Sequence, residues 1–355
     1  MKKIVFIFIV IVSVVTVFIY YKQNNETSTF INTQPDLNLN NDYIVSYTSF
    51  TEDKSNLLTL NDKGIDTIQE INDRSLENLI AINNNYFIQS RQSGNVYSIT
   101  NKGNLIQLDT PTSKNLTNNF IFDDSIGVLT NNGLHTENGK QIYKSGLLFF
   151  QENGTYSEIN FDKGFFTSAV SLNNSFYVLT FDPSIEQEIL LKIDKQGKIL
   201  KQFPLANEKP EHGHKSLISL GDTIYIMSDT GKLSTIKDEQ LTTKEIGDYG
   251  EVFKLLKDDK HVYVSFYNGL ILKIEEDKVV EKINLEENYL NDQIFIDIQV
   301  KENKVHLLTV FDKTLGEQKK AIGNIISFNI TTGDAIKTYE LPELDRISPS
   351  SFEVL

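Results

Sequence analysis

Beyond residue 42 the chain alternates apolar and polar positions with period two, in short runs broken by Asn, Asp, Gly and Lys. Such alternation marks strands with two unlike faces, and no stretch shows helical periodicity. The run "LLKIDKQGKILKQF" from Leu190 is two apolar strands around a Gly-bearing turn, and it has counterparts all along the sequence. These are "LLTLNDKGIDTIQEI" from Leu57, "VYSITNKGNLIQL" from Val96, "LLFFQENGTYSEI" from Leu147, "LSTIKDEQLTTKEI" from Leu233, "ILKIEEDKVVEKI" from Ile271 and "IISFNITTGDAIKTYEL" from Ile325. A turn residue tolerant of positive φ is expected at Gly64, Gly103, Gly154, Gly197 and Gly333. Gln240 and Lys278 are expected to serve in the two copies without glycine.

Each hairpin follows a shorter strand whose first apolar residue is Tyr43, Tyr86, Ile126, Phe176, Ile224, Val262 or Val305, at spacings of 43, 40, 50, 48, 38 and 43 residues. That period suits four-stranded units, the blades of a propeller. A fourth strand precedes six units: "LENLIAI", "NNFIF", "FTSAVSL", "KSLISL", "EVFKLL" and "IFIDIQV". The first unit has none upstream, and the missing copy is "PSSFEVL" at the other end of the chain. A ring without an unpaired edge needs that strand, so Ser351 to Leu355 is predicted to complete the first blade. The expected fold is an all-β, seven-bladed β-propeller of four-stranded antiparallel blades over residues 42–355. Short Asn- and Asp-rich turns such as "NNN" and "NNS" join the first two strands of each unit, which reads as turn chemistry.

These repeats resemble the seven-bladed propellers of the PQQ-like and YVTN-like superfamily, with "IISFNITTGDAIKTYEL" and "LLKIDKQGKILKQF" as the nearest matches. The resemblance implies the fold. Members that bind the quinone or stack blades through tryptophan carry Trp in the repeat, whereas this chain has no Trp and must pack with its 22 Phe and 15 Tyr. No cofactor is therefore expected.

The N-terminus follows another pattern. After Lys2 and Lys3 come eighteen uncharged residues, Ile4 to Tyr21, which as a helix would span about 27 Å, near the hydrocarbon thickness of a bilayer. Residues 1–21 read as an uncleaved transmembrane anchor with the N-terminus cytoplasmic and the rest outside. The competing reading, a cleaved signal peptide, lacks an Ala-x-Ala-like site. Residues 22–41, polar and rich in Asn and Thr, read as a linker.

The chain carries a net charge of -14, and no cysteine. The acidic balance argues against nucleic acid as a partner, and the missing thiols exclude thiol catalysis, iron–sulfur clusters and thiolate zinc sites. Only Arg74, Arg91 and Arg346 among 34 basic residues are arginine, which leaves few candidates for forked recognition of an anion. Phosphate loops, nucleophile elbows and His-Glu-x-x-His helices are absent.

Propeller sites lie where the loops entering the innermost strands converge, here residues 71–78, 109–118, 161–166, 204–215, 247–250, 284–293 and 342–350. Glu211, His212 and His214 in one of them are candidate metal ligands, although a metal site needs a further ligand from elsewhere. Tyr249, Tyr289, Phe165 and Phe166 are the candidate binding residues; packing between blades is their competing role, favoured for the two phenylalanines. His135, His261 and His306 read as strand residues with surface or packing roles. The expected function is a membrane-anchored, extracytoplasmic binding or scaffold module for a cell-envelope protein or small ligand. The alternative is a hydrolase or lyase on sugar or lactone substrates with a divalent ion at the channel mouth.

Overall fold

The computed structural model describes residues 36–355 apart from 111–114, 123–124, 138, 152–154, 163, 184, 206–213, 312–320 and 345. The expected anchor and most of the linker lie outside the described residues, as do Glu211, His212 and the turn glycine Gly154. Among the described residues no helix is long and apolar enough to cross a membrane.

Seven four-stranded antiparallel sheets form the ring, six of them from consecutive strands. The seventh joins Tyr43–Thr48, Ser55–Asn61 and Gly64–Ile71 to Ser348–Val354 from the far end of the chain. There Val45 lies opposite Phe352 and Tyr43 opposite Val354, so the predicted closing strand is the inner strand of blade 1. The inner strands of blades 2 to 7 are Leu76–Ile82, Asn115–Phe122, Phe165–Leu172, His214–Leu220, Val252–Lys257 and Gln293–Lys301.

Burial follows from the stacking of blades. The second strand of a blade has a neighbouring blade over each face, and Tyr43–Thr48 is buried at all six positions. The outermost strands keep one face in water, and Ala335–Pro342 alternates for most of its length. Apolar contact gathers into seven clusters, one at each of the seven blade boundaries. Phenylalanine does the work of the absent tryptophan: between blades 3 and 4, Phe149 stacks on Phe176 at 4.8 Å and Phe120 meets both edge-on.

The described turn glycines have positive φ, as at Gly197 (+86°). In the two copies without glycine the prediction needs correction. Gln240 and Lys278 begin strands, and the left-handed residues are Asp238, Glu239 and Glu276. Acidic residues form these tight two-residue turns because Asp tolerates the conformation and the tight hairpin demands it. The Asn pairs Asn83–Asn84 and Asn173–Asn174 are left-handed too, in agreement with their reading as turns.

The last residues of the stretch read as linker are docked on the ring. Leu37 is buried between blades 1 and 2, and its N–H donates to the Gly103 carbonyl at 3.0 Å. A Cβ at Gly103 would stand 1.9 Å from the Leu37 oxygen, so only glycine lets the segment approach. Asn38 and Asn41 both donate to the Asp66 carboxylate.

Candidate functional site

The inner strands run parallel around a central channel of about 920 Å³ lined by all seven blades. Each carries a register break at an equivalent point. The extra residue of a bulge twists a strand and re-aims the side chains beside it. At this level stand Ser351, Asn78, Asn118, Ser168, Ser216, Lys254 and Asp297, one polar residue per blade bordering the channel.

Neighbouring inner strands share no backbone ladder, and side chains bridge them instead. Ser350 donates to the Leu76 carbonyl, Asn119 to that of Asn78, Ser171 to that of Ile121 and Ser219 to that of Ser171. Lys257 continues to the Ser219 carbonyl, Lys254 to the Asp297 carboxylate and Gln299 to the Phe352 carbonyl. Every blade boundary is thus crossed beside the channel, which satisfies backbone acceptors that would otherwise face one another unpaired.

Among the channel residues, Glu353 has a perturbed acidity. Burial pushes its carboxyl up to about 7, opposed by the Gln299 amide and by Lys301 and Lys254, and reinforced by Asp297. Between the ordinary value of 4.5 and 7 the folded chain holds a proton that the unfolded chain has released. This stabilisation is fully present below 4.5 and lost as pH rises through 7, on the order of 3 kcal/mol in all. Glu353→Gln keeps the shape without the charge. The variant is expected to melt well above the parent at pH 8 and close to it at pH 4.5; equal gaps at both would show that Glu353 is charged throughout.

A second cavity, about 560 Å³, opens on the face where the inner strands begin, here called the upper face. In an antiparallel blade the connections from second to third strand, and from fourth strand to the next blade, also lie on this face. Arg74 occupies the connection into blade 2, Arg91 the 91–95 connection within blade 2, and Arg346 the connection into blade 1. All three arginines of the chain therefore stand on one face, and Arg74 and Arg91 border the cavity.

Asp73 holds the two connections together. Only 3% exposed, its carboxylate accepts from the Arg74 N–H, the Ser90 and Ser93 hydroxyls, the Asn95 amide and the Tyr97 hydroxyl at 2.7–3.0 Å. The Arg91 N–H donates to the Ser75 carbonyl at 3.0 Å, and the Ser75 N–H to the Ser49 carbonyl at 2.9 Å. Ser75 is left-handed (φ 54°), a conformation held by these flanking bonds.

The guanidinium groups differ in their surroundings. Arg74 Nε lies 3.3 Å from Asp53 and Arg346 lies 3.6 Å from Glu52, whereas among the described residues no carboxylate comes within ion-pair distance of exposed Arg91. Glu77 borders both cavities; burial raises its pKa and Arg91 opposes the rise. Phe50, 58% exposed, also borders both, so the pocket adjoins the channel.

The sequence candidates divide. Phe165 forms the pocket wall with Tyr143, rings edge-to-face at 5.7 Å. Phe166 is wholly buried against Phe161 in the packing between blades 3 and 4, the competing role expected for it. Tyr249 and Tyr289 lie on another sector of the upper face. Tyr249 meets Phe266 edge-on beneath Lys282, and Tyr289 is 38% exposed on a 3-10 turn, Glu287–Tyr289. His214 begins the inner strand of blade 5; among the described residues no group of three His, Asp or Glu could hold a metal ion. His306 is buried against the Tyr43 and Ser327 hydroxyls, and burial pulls its pKa down to about 4.

Sequence reasoning passed over Phe50 and Tyr143, and met Arg74 and Arg91 only as rare arginines without placing them at a site. The available signal was the scarcity of arginine in a lysine-rich chain, and two of the three falling close to one predicted inner strand.

No protein-family model matches the chain, and no curated protein matches it. Among solved structures it is similar to apo AztD from Citrobacter koseri, with a TM-score of 0.56 and 11% identity over 88% of this chain and 97% of that one. A second Citrobacter koseri AztD structure gives 0.55 and 10% over the same shares. YCF48 from Cyanidioschyzon merolae gives 0.50 and 9%, over 84% of this chain and 88% of that one. At such identities the likeness is one of fold, and with the seven closed sheets it makes this chain a seven-bladed β-propeller.

Proposed function

We propose that the chain is a membrane-anchored binding module of the cell envelope, held by residues 1–21 with its propeller outside the cytoplasm and its upper face turned to a protein or ligand. The observation that carries the reading is the upper-face pocket, where an exposed Phe50 and the Arg91 guanidinium, without an ion-pair partner among the described residues, border a cavity adjoining the channel. Exposed aromatic and arginine side chains around a pocket are the groups that dominate binding energies. The hydrolase or lyase reading needs converging ligands for an ion, and no observation among the described residues favours it.

A photo-crosslinking side chain in place of Phe50, compared in intact cells with one in place of Lys63 at the opposite end of blade 1, tests this. Discrete adducts from the Phe50 position and none from Lys63 are expected. Equal patterns from the two, or no adduct from either, would sink the proposal.

A further inference from the structure

Several features of the molecule invite a ligand. The channel carries Glu353, but its carboxyl already accepts from the Gln299 amide that bridges blades 7 and 1. The aromatic sector around Tyr249, Tyr267 and Tyr289 is partly exposed, with nothing to indicate what covers it. The arginine pocket goes further, because its chemistry selects an occupant.

Three observations converge there. First, Arg74 and Arg91 border one cavity, with the Arg91 guanidinium outside ion-pair distance of every described carboxylate and Arg74 bound to Asp53 through Nε. In a chain of net charge -14, such a place is a local invitation to an anion. Second, Ser75 borders the same cavity at 1% exposure, and its hydroxyl has no hydrogen-bond partner. A buried hydroxyl left unpaired costs about 1–3 kcal/mol unless something supplied from outside satisfies it. Third, the same cavity has an aromatic lining, supplied by Phe50, Tyr143 and Phe165.

We infer that this pocket receives an extended peptide segment, its carboxylate pairing with Arg74 and Arg91 and a neighbouring apolar side chain lying against Phe50, Tyr143 and Phe165. The inference rests on the reading of the chain as a binding module and names the partner of the same site. A carboxylate suits the pocket better than a phosphate, because Glu77 stands in the same wall and would repel a dianion more strongly than a single charge. A volume of about 560 Å³ is that of a short peptide stretch rather than an inorganic ion. Asn115 and Gln92 at the rim offer both donors and acceptors, which a peptide backbone uses and a phosphate does not.

The test is a titration of the full chain in detergent micelles with a pool of end-blocked hexapeptides, each carrying one Glu beside Phe or Leu. The same pool with Gln for Glu, and inorganic phosphate, are the comparisons. The Glu pool is expected to bind, with affinity falling as salt is raised. The Gln pool, and the Glu pool on Arg91→Gln, are expected to bind about 10- to 100-fold more weakly, the loss of one or two charged hydrogen bonds. Arg91 is exposed, so this variant should melt with the parent; Arg74→Gln, which gives up only a surface ion pair besides, provides the second reading. Binding of no pool, equal binding of both pools, unchanged binding by both variants, or tighter binding of phosphate would each overturn the inference. Phe50 adducts that persist in Arg91→Gln cells would reject this pocket chemistry and leave the module reading intact. Peptide binding without Phe50 adducts in the parent would strike the module reading alone.

Discussion

Removal of residues 348–355 is expected to abolish cooperative folding of the propeller, although the deletion touches one strand of one blade. Ser348–Val354 supplies the whole inner strand of blade 1 and leaves the edge of Tyr43–Thr48 bare when it goes. Phe352 is fully buried in the cluster between blades 7 and 1, and its loss alone costs about 3–5 kcal/mol. The deletion also takes away Ser350 and the Phe352 carbonyl, and with them the channel-side bridges from blade 1 to both neighbours. Marginal domains hold about 5–15 kcal/mol in total, so the ring has little reserve for an open seam. Thermal melting and limited proteolysis check this: the shortened chain should lose its sharp transition and be cut throughout the propeller. Phe352→Ala keeps the strand and should melt cooperatively at a lower temperature. A shortened chain that melts sharply near the parent would mean that the seam bears no weight.

The seam was legible because a ring imposes a count. Six upstream strands for seven units left one place vacant, and "PSSFEVL" had the alternation to fill it. The hairpins were legible because period two and turn residues are local signals. The docking of Leu37 was not, since two leucines, Leu37 and Leu39, in an Asn-rich stretch are too short a run to mark an element; the burial of Leu37 depends on Gly103, sixty-six residues away. Phe165 and Phe166 show the limit of local reading. Adjacent residues in a strand face opposite sides, and only the register with the neighbouring blade decides that Phe165 lines the pocket while Phe166 enters the core. The pocket itself draws on blades 1 to 4, and no single segment announces it. Its arginines were noticed for their rarity, yet their shared face follows only from the alternation of upper and lower connections around the ring.

Asp73→Ala is expected to cost about 3–5 kcal/mol, the second largest effect of any single change considered, and to disable the pocket with it. The carboxylate is buried and accepts five hydrogen bonds, so its removal strands the Tyr97 hydroxyl in a place water reaches poorly, while Ser90 keeps the Arg74 carbonyl as its acceptor. Burial and the Asp73 carboxylate together raise the Tyr97 pKa, as expected of a phenol that keeps its proton and donates it. At about 2 °C per kcal/mol for a chain of this size, the midpoint should fall by roughly 6–10 °C. Asp73→Asn should lose less, about 2 kcal/mol, because one acceptor oxygen remains while the new amide faces donors. The functional consequence is the sharper test. Asp73 ties the connection bearing Arg74 to the one that starts at Arg91, so the Asn variant should stay folded and yet bind the Glu-bearing peptides more weakly. Hydrogen exchange should quicken at residues 72–75 and 91–95 and stay unchanged at 247–250 in blade 6. A variant that loses stability evenly around the ring, with peptide binding intact, would reduce Asp73 to a packing residue and separate the fold from the site it is argued to position.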